Sequence, residues 1–140
     1  KWKKLNFRQG FVPSERAAHT AVKVSDMQMI IYGGAASGSQ GLLKINCTFW
    51  ISENSTILLI QANLEDYRNH KQKHDPGQRY GHTMVFNKPY LVVFGGNSGN
   101  RAENDVWLLN INKGPFQWQK YEFQSKICPS PRVYHSAAIC

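Results

Sequence analysis

Three stretches of the chain share one frame of proline, arginine and histidine: PSERAAH at residues 13–19, PGQRYGH at 76–82 and PSPRVYH at 129–135. Each of the three residue types makes up about 4% of the chain, so one extra match by chance has odds on the order of one in a hundred, and two are far rarer. Taken alone, His82 behind an arginine and a tyrosine suggests a catalytic histidine. A catalytic base is not needed in triplicate, whereas a scaffold residue is needed once per structural unit. The frame therefore predicts a repeat protein, in which each unit buries its apolar faces against its neighbours.

The units continue past each histidine. His19 is followed by MIIYGG, ending at Gly33 and Gly34, and His82 by YLVVFGG, ending at Gly95 and Gly96. NDVWLLNI with Trp107 and FQWQKYEF with Trp118 come next, and CTFWIS with Trp50 reads as the degenerate first-unit counterpart of the Trp107 segment. WKKLNFRQGFVPSER, opening at Trp2, superimposes without a gap on WQKYEFQSKICPSPR, opening at Trp118. Residues 2–12 thus read as the last strand and loop of one unit, 13–75 and 76–128 as whole units, and 129–140 as the start of another. The arginines Arg16, Arg79 and Arg132 recur at periods of 63 and 53 residues. The first unit lacks a tryptophan matching Trp118 and has the longer, basic loop.

An apolar strand closed by Gly-Gly, an arginine and histidine ahead of the first strand, and spaced aromatics after the glycines resemble the kelch motif over essentially the whole chain. The resemblance implies an all-β fold, a fragment of a kelch-type β-propeller built of four-stranded antiparallel blades. It supplies two whole blades, an outer strand at the N-terminus and an inner strand at residues 135–140. It also implies that Arg16, His19, Arg79, His82, Arg132 and His135 hold blade to blade or loop to strand by hydrogen bonding. The five-donor fork of Arg79 suits backbone carbonyls between blades.

Elementary chemistry agrees. The glycine pairs end β-branched or aromatic strands, where positive φ or close backbone approach excludes a side chain, and Gly96→Val is expected to disrupt the strand end far more than Gly99→Val in the adjoining loop. Residues 29–32 and 91–94 are near-continuously apolar, as in sheets covered on both faces.

The chain has 140 residues, 41% of them hydrophobic, and a net charge of +8, and no apolar run is long enough for a membrane helix. The basic excess gathers near the N-terminus and in RNHKQKH at 68–74, a terminus and a loop instead of one basic face, so nucleic acid is not the expected partner. Three cysteines without a CxxC pair argue against a disulfide framework or a zinc site and favour a reducing compartment, cytoplasmic or nuclear. His70 and His74 stand four apart, but flanking lysines would repel a bound cation. The glycine-rich loops lack the GK[ST] step of a phosphate loop, and no nucleophile motif is present. No catalytic or metal site is expected in this chain, and no cofactor.

Propellers act through rim loops, because their strands are consumed by packing. One set lies at 35–44 and 97–104, the other at 8–15, 69–78 and 124–130. Ser37, Gln40, Lys71, Lys73, Asn97, Asn100 and Arg101 are the candidate partner-binding residues. PYLVVFGGN, NDVW and GPFQWQK together are similar to the kelch region preceding the catalytic domain of the kelch-containing serine/threonine protein phosphatases of plants and apicomplexan parasites. That resemblance implies a regulatory segment of a hydrolase whose two metal ions, manganese or similar, sit in a catalytic domain absent from this chain. Its partner would be that domain or another protein. A kelch adaptor of another parent, such as a ubiquitin-ligase subunit, and a propeller oxidase of the galactose-oxidase type stay open, and open blade edges would also allow self-association.

Overall fold

The computed structural model describes residues 14–26, 28–36, 48–53, 56–61, 75–112, 116–124 and 128–140. The strand expected at 2–7 lies outside them. Strands β1 (Thr20–Ser25), β2 (Gln28–Tyr32), β3 (Thr48–Glu53) and β4 (Thr56–Gln61) form one antiparallel sheet in chain order. A second sheet has β5 (Thr83–Asn87), β6 (Tyr90–Phe94), β7 (Val106–Asn110) and β8 (Trp118–Tyr121) in the same arrangement. Such a meander follows from short apolar runs separated by turn residues, each strand pairing with the next along the chain. The innermost strands β1 and β5 lie against each other.

Residues 135–140 form no strand. A strand exists by its ladder: β1 and β5 have β2 and β6 to pair with, and among the described residues the third unit's opening segment has no such partner.

Pairing register decides which side chains meet between the sheets, because cross-strand partners share a face. Leu91 pairs with Leu109 and Val93 with Trp107, while Leu109 pairs with Trp118. All five are buried and pack with Ile30 and Tyr32 of the first sheet and with Met84 in a single cluster. The apolar runs are not equally buried on both faces: Val92 and Phe94, on the opposite side of β6, are only partly covered. Tyr32 is fully buried, lies 5.5 Å from the Trp118 ring, and donates its hydroxyl to Gly77 O at 2.9 Å. Each fully buried aliphatic or aromatic side chain is worth about 1.5–3 kcal/mol and a single hydrogen bond about 1 kcal/mol, so apolar burial dominates this joint.

The same register separates two tryptophans that the sequence aligns. Trp107 faces Val93, two residues before Gly95, whereas Trp50 faces Met29, four before Gly33. Thr48, opposite Ile31, takes the place of Trp107, and Trp50 takes that of Leu109. An alignment by residue type alone had no means of detecting a two-residue slide, which keeps the side chain on the same face.

The glycine pairs let the units approach. Gly33 has φ of 65° and Gly96 of 91°, in the left-handed region that L side chains rarely adopt. A Cβ on Gly33 would collide with the carbonyl oxygen of Arg79 and stand 2.6 Å from His82 Cε1, both in the following unit. On Gly96 it would stand 2.7 Å from His82 Cβ and 2.9 Å from Tyr80 O, in its own unit. The first glycine of a pair therefore admits the next unit, and the second admits its own histidine. Gly99 also has a left-handed φ, of 99°, so a side chain there is strained by backbone conformation as well.

Gly77 provides the control. Its φ is 70°, yet a Cβ there meets nothing within 4 Å. Gly77→Ala should cost about 1–2 kcal/mol from conformation alone, and Gly33→Ala about 1–3 kcal/mol more for the collision. Urea unfolding of the two variants measures the difference, and equal midpoints would remove the close-approach role.

Candidate functional site

The second unit is organised around a buried cation. Arg79 is 2% exposed and sits in the turn ahead of β5, where its fork reaches the turn entering β7. Its Nη1 donates to Asp105 Oδ1 and to Gly95 O, each at 2.7 Å, and its Nη2 to Asp105 Oδ2 at 3.0 Å. Its Nε donates to Pro76 O at 2.8 Å, and Nη2 also points at that oxygen. Trp107 Nε1 donates to Asp105 Oδ2 at 2.6 Å. Burial by itself raises the pKa of Asp105, but the bonds from Arg79 and Trp107 outweigh it and hold the carboxyl below its usual range.

The fork closes on its own unit, and not on carbonyls between blades. What crosses the joint is the backbone carbonyl of the same arginine: Gly34 N donates to Arg79 O, and Gly96 N to Arg132 O, both at 2.9 Å. Sequence reading missed Asp105, although NDVW contains it two residues before the tryptophan. The other arginines use serine. Arg16 donates to Ser14 O and Ser14 Oγ at 3.2 and 3.0 Å and to Gly33 O at 3.0 Å. Arg132 donates to Ser130 O and Ser130 Oγ, both at 3.0 Å.

The histidine carries the side-chain contact across the joint. His82, 3% exposed, has Nε2 hydrogen-bonded with Thr20 Oγ1 at 2.7 Å and stands edge-on to Tyr32 at 5.1 Å between ring centroids. The next unit repeats the arrangement with His135 Nε2 on Thr83 Oγ1 at 3.0 Å and its ring 5.0 Å from Phe94. Thr20 and Thr83 directly follow His19 and His82 in sequence, a repeated His-Thr signal that was available and unused. His19, which opens the first unit, is exposed. Burial, then the charge of Arg79, lowers the pKa of His82 to about 3. An imidazole neutral at pH 7, bonded to a threonine and enclosed by two units, is a strut and not a base offered to substrate.

Backbone bonds run parallel to it: Gly81 N donates to Ala18 O at 2.9 Å and Tyr134 N to Gly81 O at 2.8 Å. These three residues precede the histidines, and all have left-handed φ, at 54°, 61° and 57° for Ala18, Gly81 and Tyr134.

The rim loop after Gly96 is built, not merely exposed. Asn97 exchanges backbone bonds with Tyr80 at 3.1 and 2.9 Å, and its Oδ1 accepts from Gly99 N at 2.7 Å. Glu103 Oε1 accepts from Ser98 Oγ at 2.9 Å and Arg101 Nε at 3.1 Å. Asn97 thus shapes the loop, while Asn100 and Arg101 are presented to solvent, Arg101 with 78% of its side chain exposed. The next unit's turn abuts this loop, with Arg132 N on Glu103 O at 3.2 Å and Asn104 Nδ2 on Pro129 O at 3.3 Å. Ser37, Gln40, Lys71 and Lys73, like His70 and His74, lie outside the described residues. Among the described residues, no group of three or more His, Cys, Asp or Glu could hold a metal ion.

The family model described as the KLHDC2/KLHL20/DRC7 Kelch-repeats domain matches residues 1–140. The chain belongs to the kelch-repeat family. The kelch chain is 36% identical to serine/threonine-protein phosphatase BSL2 of Arabidopsis thaliana over 99% of its length, covering 12% of that protein. It is 27% identical to Adagio-like protein 3 of Oryza sativa subsp. japonica over 97% of its length, covering 20% of that protein. A 64-residue stretch is 36% identical to the leucine-zipper-like transcriptional regulator 1 homolog of Drosophila melanogaster, 46% of this chain and 6% of that one. The chain thus spans about a fifth or less of the length of these relatives.

Two measurements test the kelch struts. Asp105→Ala strands a buried guanidinium and should cost about 3–5 kcal/mol in urea unfolding, whereas Glu103→Ala, which removes the acceptor of Ser98 and of the solvent-exposed Arg101, should lower stability much less.

His82 gives a pH signature. Unfolded, it has the ordinary value of 6.5; folded, about 3. Between those values the unfolded chain binds a proton that the folded one refuses. The stabilisation is therefore whole above about pH 6.5 and declines by up to about 1.4 kcal/mol per pH unit as pH falls towards about 3. His82→Ala should cost about 1–3 kcal/mol at pH 7 and flatten that decline. A variant with unchanged slope would show that His82 is not the titrating group.

Proposed function

We propose that this chain is a protein-binding, regulatory kelch segment of a larger serine/threonine protein phosphatase, presenting its rim loops to a partner protein or to the parent's own catalytic domain. The observation that carries the reading is the end-to-end match to a phosphatase of that description, at 36% identity over 99% of the chain. The geometry is compatible with it. The strands spend their hydrogen bonds on one another, Arg79 and His82 are enclosed, and the loop at 97–103 holds Asn100 and Arg101 outward on a braced backbone. Hydrolysis would belong to a separate catalytic domain with its own pair of metal ions, manganese or similar.

An adaptor function in another parent is the second reading, since the chain also resembles two proteins not named as phosphatases, Adagio-like protein 3 and the leucine-zipper-like regulator homolog. The two readings diverge in the parent protein. With Asn100→Ala and Arg101→Glu together in the full-length phosphatase, turnover of a small aryl phosphate should stay unchanged. Dephosphorylation of a protein substrate should fall about tenfold, equivalent to about 1.4 kcal/mol of lost binding. The isolated chain should show no turnover of aryl phosphate with or without manganese. Unchanged protein dephosphorylation by the double variant would remove these loops from the binding surface, and a parent without phosphatase activity would favour the adaptor.

A further inference from the structure

The three arginine turns are alike in shape but differ in one respect that bears on covalent modification. Ser14 and Ser130 both stand two residues before their arginine and accept from its guanidinium at 3.0 Å. Ser14 is followed by Glu15, whereas Ser130 is followed by Pro131. The second unit has Gly77 at this place and holds Arg79 through Asp105 instead. Only the third turn combines a hydroxyl with a proline directly after it.

Ser130 is exposed and lies in a segment, 128–132, with no helix or strand assigned. The backbone around it is held from one side: Asn104 Nδ2 donates to Pro129 O at 3.3 Å and lies 3.5 Å from Cys128 Sγ. A kinase that reads serine followed by proline needs an accessible hydroxyl on non-helical backbone, because proline disfavours the α conformation of the residue before it. These features are all present at Ser130. The hydroxyl also already touches a guanidinium, so a phosphate placed there finds a fork of donors within reach without rearrangement of the backbone.

We propose that Ser130 is a phosphorylation site for a proline-directed kinase and that its phosphate is held by Arg132. In the transfer, Ser130 Oγ attacks the γ-phosphorus of a nucleoside triphosphate and gives up its proton to the kinase's base. The bond from that phosphorus to the bridging oxygen breaks, and the nucleoside diphosphate leaves. The product puts close to two negative charges beside Arg132 at neutral pH. The arginines of the first two units each give Nη1 to the carbonyl of their own first glycine, Gly33 or Gly95. A phosphate on Ser130 competes for the corresponding arginine of the third, and it changes the charge of the surface that Asn104 and Glu103 join to the loop carrying Arg101. Modification at this serine would thus act both on a strut and on the rim, independently of what the rim binds.

The 140-residue chain is incubated with a mitogen-activated protein kinase and magnesium ATP, and sites are mapped by mass spectrometry. The expected result is phosphate on Ser130 and none on Ser14, abolished in Ser130→Ala and reduced at least about tenfold in Pro131→Ala. Phosphorus NMR of the product should then show the second phosphate pKa below the value in a free peptide spanning 128–135, near 6. Arg132→Ala should return it to the peptide's value, while Arg132→Lys, which keeps the charge, should retain part of the shift. Absence of phosphate on Ser130, whether or not the peptide is labelled, overturns the site. A phosphate whose titration matches the peptide's, or is unmoved in both arginine variants, overturns its capture by Arg132.

Discussion

The structure depends on a contact that needs the absence of a side chain. Gly33 presents bare backbone to the Arg79 carbonyl and to the edge of the His82 ring, at a distance where a methyl group could not fit. Three bonds between the sheets follow from that approach: Gly34 N to Arg79 O, Gly81 N to Ala18 O, and His82 to Thr20. The apolar cluster then closes around Tyr32, whose ring meets both His82 and Trp118. Burial supplies most of the energy of this joint, but the glycine sets the distance at which burial becomes complete. The next joint repeats the geometry through Gly95, Arg132 and His135, so the contact is a property of the unit and not of one place in the chain.

The arginine illustrates how one position can be conserved in role while its chemistry changes. Enclosing Arg79 takes a charge out of water, and that is tolerable only because Asp105 meets it with two parallel bonds and carbonyls fill the remaining donors. Arg16 is half-buried and Arg132 exposed, and both make do with a serine hydroxyl and carbonyls, which compensate a partly solvated guanidinium. Among the described residues, the enclosed arginine of these three is the one that meets a carboxylate, as desolvation cost requires.

Much of this was legible in the sequence because repetition is a statement about packing. Pro, Arg and His in fixed frame, with Gly-Gly after an apolar run, pointed to the strands that end at Gly33 and Gly95, since the same backbone problem was solved more than once with the same residues; enclosure was less legible, because Arg79 and His82 are buried while His19 and Arg132 are exposed. The direction of each bond was not legible. Arg79 looks equally able to reach across a joint or to fold back, and only the three-dimensional path shows that its side chain stays home while its carbonyl crosses. The Trp50 alignment failed for a related reason: a slide of two residues preserves the face of the sheet, so composition cannot reveal it. The left-handed φ of Gly99 was likewise not legible, because a loop residue's φ depends on its turn and not on its exposure.

Rigidity at the joints also accounts for the character of the rim. A loop that projects polar side chains for recognition loses affinity by whatever entropy it surrenders on binding. Here the loop at 97–103 is restrained before any partner binds, through the Asn97 bonds to Tyr80 and the sharing of Glu103 between Ser98 and Arg101. Its anchor, Tyr80, lies between Arg79 and Gly81, two residues whose backbones bond to the preceding unit. Inter-unit contact and loop geometry therefore share one short turn. The residues that close the units and those that brace the loop are neighbours in sequence, so the position of the rim loop is set by the same turn that sets the joint.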